Sequence, residues 1–216
     1  MNARKIFLAV ALLPLLITGC SSGHSASTSQ SVAESAPPGQ PGRVPAGPGP
    51  ADTYTVAAQP APGTCQYRKT TDGQPLPDPA CTPGATNPRV TAQTYKDTIC
   101  KTGYTQTIRP PSNITTPEKK ANAASYGYTG DLRDAEYDHL LSLELGGDPN
   151  DPRNLWVEPP SPGHTPGAGP NNPKDSVENK LHVLICSGKV ALTDAQNAIA
   201  SDWTTALTVL GHPNGN

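Results

Sequence analysis

The sequence has little from which to build a large core. Its 216 residues include one Phe, one Met and two Trp, and aromatics make up only 5%. That scarcity argues against one hydrophobic core spanning the whole chain. Charged residues are also sparse, at 16%, and the formal net charge is −2. A uniformly basic nucleic-acid binder is therefore excluded, although a local basic face is not. A single apolar run, Ile6 to Leu16, excludes a many-pass membrane protein. No heptad pattern supports a coiled coil. No CxxC pair supports a zinc ribbon. What is plentiful is Pro, with 26 residues, and Gly, with 20. This composition describes one modest domain that carries a long spacer.

The N-terminus reads as an export signal. Arg4 and Lys5 precede the apolar run, which is shorter than the roughly 20 residues a bilayer span needs. The run ends Ile17-Thr18-Gly19-Cys20, which resembles a bacterial lipobox. The resemblance implies removal of residues 1–19, a lipid on Cys20, and a mature chain held at the membrane outside the cytoplasm. That mature chain has a net charge of −4. Residues 20–63 are rich in Ser and Ala, then in Pro and Gly, with only Glu34, Arg43 and Asp52 charged. They are expected to form a disordered tether, with the folded domain at 64–216.

Four cysteines remain after Cys20: Cys65, Cys81, Cys100 and Cys186. An even number in an exported chain points to two disulfides, with three possible pairings. Cys65–Cys81 would close a Pro-rich loop that has few apolar residues. Cys100–Cys186 would then tie the early domain to a late helix.

The elements are short. Residues 104–109 alternate like a strand that stops at Pro110-Pro111. Thr116-Pro117-Glu118 reads as a helix start, with the end near Gly127. Residues 136–145 are expected as a first hairpin strand and 154–157 as a second, separated by Gly146-Gly147 and a turn-rich loop. After a Pro/Gly stretch a helix begins near 172–175, with Val177, Leu181 and Leu184 on its apolar face. Thr193 and Gln196 form a capping-box pattern. They precede one last helix that buries Ala195, Ile199, Trp203, Ala206 and Leu210. The predicted fold is α+β: a small antiparallel β-hairpin plus helix, further helices, and disulfide bracing.

The chemistry is expected on that hairpin and helix, over residues 136–188. Asp138-His139 lies on the first strand, Asn154 opens the second, and Glu178 and His182 share one face of the helix at i, i+4. A carboxylate can hold a divalent ion, and a neutral imidazole can take a proton from water. On a flat strand Asp138 and His139 face opposite sides, so a shared site requires a kink between them.

These residues resemble the HNH branch of the His-Me-finger, or ββα-metal, nucleases. The likeness rests on Asp138-His139-Leu140, Gly146-Gly147, Asn154-Leu155 and the helix that follows. From Tyr137 to Trp203, and again from Asn87 to Pro110, the chain is similar to exported bacterial HNH-like proteins. The resemblance implies His139 as general base, Asn154 as its orienting residue, and Asp138, Glu178 and His182 as metal ligands. Asp175 or Asn179 stands as an alternative to Glu178. Mg²⁺ is the first expectation for the ion, with Mn²⁺, Ca²⁺ or Zn²⁺ next. Ser142 stands where such strands commonly carry Pro.

Residues 64–120 carry a net +4 and residues 121–216 a net −7. Arg109 and Lys174 are candidate phosphate contacts, with Arg68, Lys69, Arg89 and Lys101 as further cations of the basic half. The expected function is a lipid-anchored, monomeric, metal-dependent endonuclease acting on DNA or RNA. Hydrolysis of another phosphoester shares the metal but not the polymer. The rival of a different class is a catalytically inactive lipoprotein that keeps the hairpin as a binding scaffold.

Overall fold

A computed structural model describes residues 43–215. The signal segment 1–19, the lipid position Cys20 and the start of the expected tether lie outside the described residues. A small hairpin comes first, pairing β1 (Arg68–Lys69) with β2 (Pro75–Leu76). A 3₁₀ turn at Tyr95–Asp97 leads to α1 (Tyr104–Ile108) and α2 (Ser112–Ser125). The central hairpin follows: β3 (Glu136–His139), a 3₁₀ turn at Leu143–Leu145, then β4 (Leu155–Glu158). The chain ends in α3 (Lys174–Cys186), α4 (Leu192–Ser201) and α5 (Ala206–Val209). Helices with two small antiparallel sheets make the α+β architecture expected from the pattern.

The main core joins the loop of the central hairpin to the last three helices. Leu141, Leu145, Leu181, Leu184, Ile185, Ile199 and Trp203 pack there. A second cluster gathers Tyr126, Leu140 and Trp156 beside Cys65. Tyr67 stacks on Tyr126 with centroids 4.6 Å apart. Both expected disulfides are present. Cys65–Cys81 closes a loop with a sequence separation of 16, and Cys100–Cys186 one of 86. Disulfides of this kind belong to an oxidising compartment outside the cytoplasm. Among the described residues no helix is long and apolar enough to cross a membrane.

Several elements differ from the sequence reading. Residues 104–108 form a helix and not a strand. Only Ile108 of that segment is buried, so its alternation marks no sheet face, and Arg109 turns extended before Pro110. Helix α2 begins at Ser112, before Thr116, and keeps Pro117 inside it. Strand β3 stops at His139; beyond it Leu140, Leu141, Leu143 and Leu145 are all buried, a pattern no two-faced strand shows. Thr193 and Gln196 make no capping box: the Gln196 amide donates to the Leu145 carbonyl at 2.9 Å. The last helix is broken at Asp202, whose backbone is extended, so that Trp203 can donate its indole N–H to Pro75.

The folded unit also begins earlier than residue 64. The N–H of Val44 donates to Asn197, and Ala46 bridges to Thr86. The Gly49 N–H reaches Asp148 Oδ2 at 2.6 Å, and the Ala57 N–H reaches Glu118 Oε1 at 2.6 Å. The Tyr54 hydroxyl donates to the Ile108 carbonyl. Residues 43–63 are thus an arm laid over the domain, and the expected boundary at 63/64 is corrected. Pro and Gly in this stretch shape a path across the surface, with backbone N–H groups placed on buried acids.

Candidate active site

The register of the central hairpin sorts its side chains. Glu136 pairs with Glu158 and Asp138 with Trp156, so these four share one face. Tyr137 and His139 take the other, because pairing continues unbroken through His139↔Leu155. No kink intervenes, so Asp138 and His139 do not meet in one shell.

On the first face, α3 delivers Lys174 and Glu178. The Lys174 ammonium lies 2.9 Å from Asp138 Oδ2, bonds Glu178 Oε1, and donates to the His139 carbonyl at 2.9 Å. The Trp156 indole N–H also donates to Asp138 Oδ2 at 2.9 Å. Just ahead of the helix, Asn172 accepts from the Lys174 N–H and donates to Glu136 Oε2, which docks α3 on β3. Lys174 is completely buried, and Asp138, Glu158 and Glu178 nearly so. Burial pushes all three carboxyls upward, against the pull of the Lys174 charge. Burial alone would lower Lys174, but the surrounding carboxylates outweigh it and hold the ammonium charged. Among the described residues Glu158 receives no hydrogen bond at either oxygen.

On the second face, His139 Nε2 lies 2.9 Å from the Pro149 carbonyl oxygen. A carbonyl only accepts, so Nε2 carries the hydrogen and Nδ1 keeps its lone pair. Burial pushes the imidazole down to about 4, with the positive charges of Arg109 and Lys174 acting in the same direction. The ring is therefore neutral near pH 7.

Asn154 does not touch the His139 ring, contrary to its expected role. It clamps the intervening loop. Its Oδ1 accepts from Leu141 N–H at 3.0 Å and Ala85 N–H at 3.3 Å. Its Nδ2 donates to Leu141 and Asp148 carbonyls at 3.0 and 2.9 Å. Asp148 is the residue before Pro149, so the clamp sets the carbonyl that holds His139. Gly147 makes this possible: a Cβ there would sit 1.7 Å from the Leu141 carbonyl oxygen.

His182 lies apart from Asp138 and Glu178. Its Nε2 donates to the Ile99 carbonyl at 2.9 Å. It clusters with Cys100 and Cys186, whose sulfurs are joined to each other and so offer no thiolate. Of the three expected ligands only Asp138 and Glu178 converge, and one ammonium bonds both. That donor set does not fit a divalent ion as expected, because the Lys174 ammonium already occupies the space between the two carboxylates.

Beside this cluster opens a polar cleft of about 240 Å³, lined by Thr105, Arg109, Ser142, Glu144, Asp175 and Glu178. Arg109, expected as a phosphate contact, lines this cleft together with Glu144, Asp175 and Glu178, so its immediate surroundings are acidic. Lys174, the other expected phosphate contact, is interior and does not line the cleft. Asn179 also borders the cleft, with its amide turned to the Asp175 carbonyl. Of the other basic residues, Arg68 donates to Pro77 and Arg89 to Pro50, both backbone carbonyls. Sequence reasoning missed Trp156, Glu158 and the Pro149 carbonyl. Glu158 was visible as the residue two beyond Trp156, hence on the same strand face.

No family model, curated protein or solved structure matches the chain.

Proposed function

We propose that the chain is an HNH-type phosphodiesterase acting on nucleic acid outside the cytoplasm, tethered through lipid on Cys20. One observation carries the reading: the His139 Nε2–H is tied to the Pro149 carbonyl, next in the chain to the Asp148 carbonyl that Asn154 holds. This leaves Nδ1 as a proton acceptor of fixed orientation, one of the requirements of a general base. In the proposed reaction Nδ1 takes a proton from water. The water oxygen bonds phosphorus, the opposite P–O bond breaks, and the leaving oxygen takes a proton from solvent. Arg109, which lines the cleft and whose charge is felt at His139, would pair with the non-bridging phosphate oxygens.

The test uses the purified full chain with plasmid DNA and with RNA, in EDTA and in Mg²⁺ or Mn²⁺. The parent is expected to cut, and His139→Ala to cut about 10²–10⁴-fold more slowly. A parent that leaves both polymers intact, or an equally fast His139→Ala, overturns the reading. A specific observation then favours the second reading, a binding module: Asp138 and Glu178 are already bonded by a buried lysine.

A further inference from the structure

Four ionisable side chains share one buried volume under α3. Lys174 is 0% exposed, Glu158 2%, Asp138 5% and Glu178 6%. Burying charge is costly unless each group is paired and hydrogen-bonded. Lys174 meets that condition. An ammonium has three N–H donors, and the acceptors are three: Asp138 Oδ2, Glu178 Oε1 and the His139 carbonyl. Glu158 does not meet it, since neither oxygen has a partner. It lies on the Asp138 face of the hairpin and feels the charges of Asp138, Lys174, Glu136 and Glu178. Asp175 adds a further negative charge near Asp138 and Glu178. The cluster thus carries more carboxylates than its one ammonium can satisfy.

We propose that Lys174 is a resident cation: its ammonium fills the position a divalent ion would take between Asp138 and Glu178, and Glu158 is the spare carboxylate an ion would recruit once that ammonium is removed. The lysine ties two carboxylates on different elements to the backbone of His139, a cross-linking task otherwise suited to a hard metal with oxygen ligands. It does so without an ion that dilution or chelation can strip away. The inference concerns the centre of the proposed phosphodiesterase, but it is read by metal content and not by cleavage, so either can fail without the other.

The test compares the full-length parent, Lys174→Met, and Lys174→Met combined with Glu158→Gln. Each is equilibrated with Mn²⁺, washed, and assayed for bound metal and melting temperature. The parent is expected to retain no Mn²⁺ and to melt at the same temperature in EDTA and in Mn²⁺. Lys174→Met, which is one atom shorter and lacks the ammonium, is expected to melt lower in EDTA, to retain one Mn²⁺ per chain, and to recover melting temperature with it. Adding Glu158→Gln should weaken that binding about tenfold or more. A parent that holds Mn²⁺ and releases it on Asp138→Asn or Glu178→Gln overturns the inference. So does a folded Lys174→Met that binds none. If Lys174→Met is unfolded in EDTA, Mn²⁺ must refold it; a chain that stays unfolded in Mn²⁺ also overturns the inference.

Discussion

His139 and Pro149 stand 10 residues apart, and the imidazole Nε2 of one lies 2.9 Å from the carbonyl oxygen of the other. The bond closes the hairpin loop on itself and fixes one tautomer of the ring. Everything proposed for catalysis follows from the nitrogen left over. The same bond makes His139 a structural residue, with consequences that need no substrate.

Acid should weaken the fold through this histidine. Burial holds it down at about 4, against a usual 6.5. Its contribution is therefore complete above 6.5 and is lost as pH falls from 6.5 toward 4, because the unfolded chain takes up the proton first. At pH 5 the loss amounts to about 2 kcal/mol. Urea unfolding at pH 7 and pH 5 measures it, with His139→Gln as reference. The parent should lose more stability than the variant over that step; equal losses would contradict the assignment.

Asn154→Ala should destabilise by about 3 kcal/mol, since four buried backbone groups lose their partner together. Asn154→Asp is expected to be as damaging, because it sets a carboxylate oxygen against the carbonyls of Leu141 and Asp148. His182→Ala serves as contrast. It removes one bond to Ile99, should cost about 1 kcal/mol, and should leave any cleavage rate unchanged. Denaturant midpoints, read beside rates, separate the two residues.

Gly147→Ala should prevent the native turn. The added carbon would overlap a backbone oxygen that cannot retreat without breaking the Asn154 clamp. A loss above about 3 kcal/mol is expected. Gly188→Ala is the control. Its φ is +76°, but its Cβ meets nothing within 4 Å, so about 1 kcal/mol of left-handed strain is all that is expected.

The two disulfides should differ in worth. By loop length, opening Cys100–Cys186 costs about 4.5 kcal/mol and opening Cys65–Cys81 about 3. Serine pairs at each bridge, compared by thermal unfolding, should keep that order. A larger loss at Cys65–Cys81 would mean that its loop depends on the bridge beyond chain entropy.

Much of the hairpin was legible because Gly146-Gly147 punctuates two apolar segments and leaves few other pairings. Helix α3 was legible from Val177, Leu181 and Leu184, and both disulfides followed from four cysteines and two sensible loops. Residues 104–108 were misread because a five-residue stretch carries too few turns to separate a helix from a strand. Lys174 was misplaced for a different reason. A lysine at a helix start reads as a surface cation, and only the fold brings Asp138, Glu158 and Glu178 around it. The clamp of Asn154 was not legible, because its partners at Ala85, Leu141 and Asp148 are joined only in three dimensions.

The arm at 43–63 sets the minimum length of a usable recombinant domain. A chain begun at residue 64, where the composition changes, would withdraw the Gly49 N–H from Asp148 and the Ala57 N–H from Glu118. Both carboxyls are already pushed up by burial and would lose a donor that opposes it. Asp148 sits in the loop that presents Pro149 to His139, so trimming a distant, featureless-looking leader would be felt at the imidazole. A faithful expression boundary therefore lies before Val44.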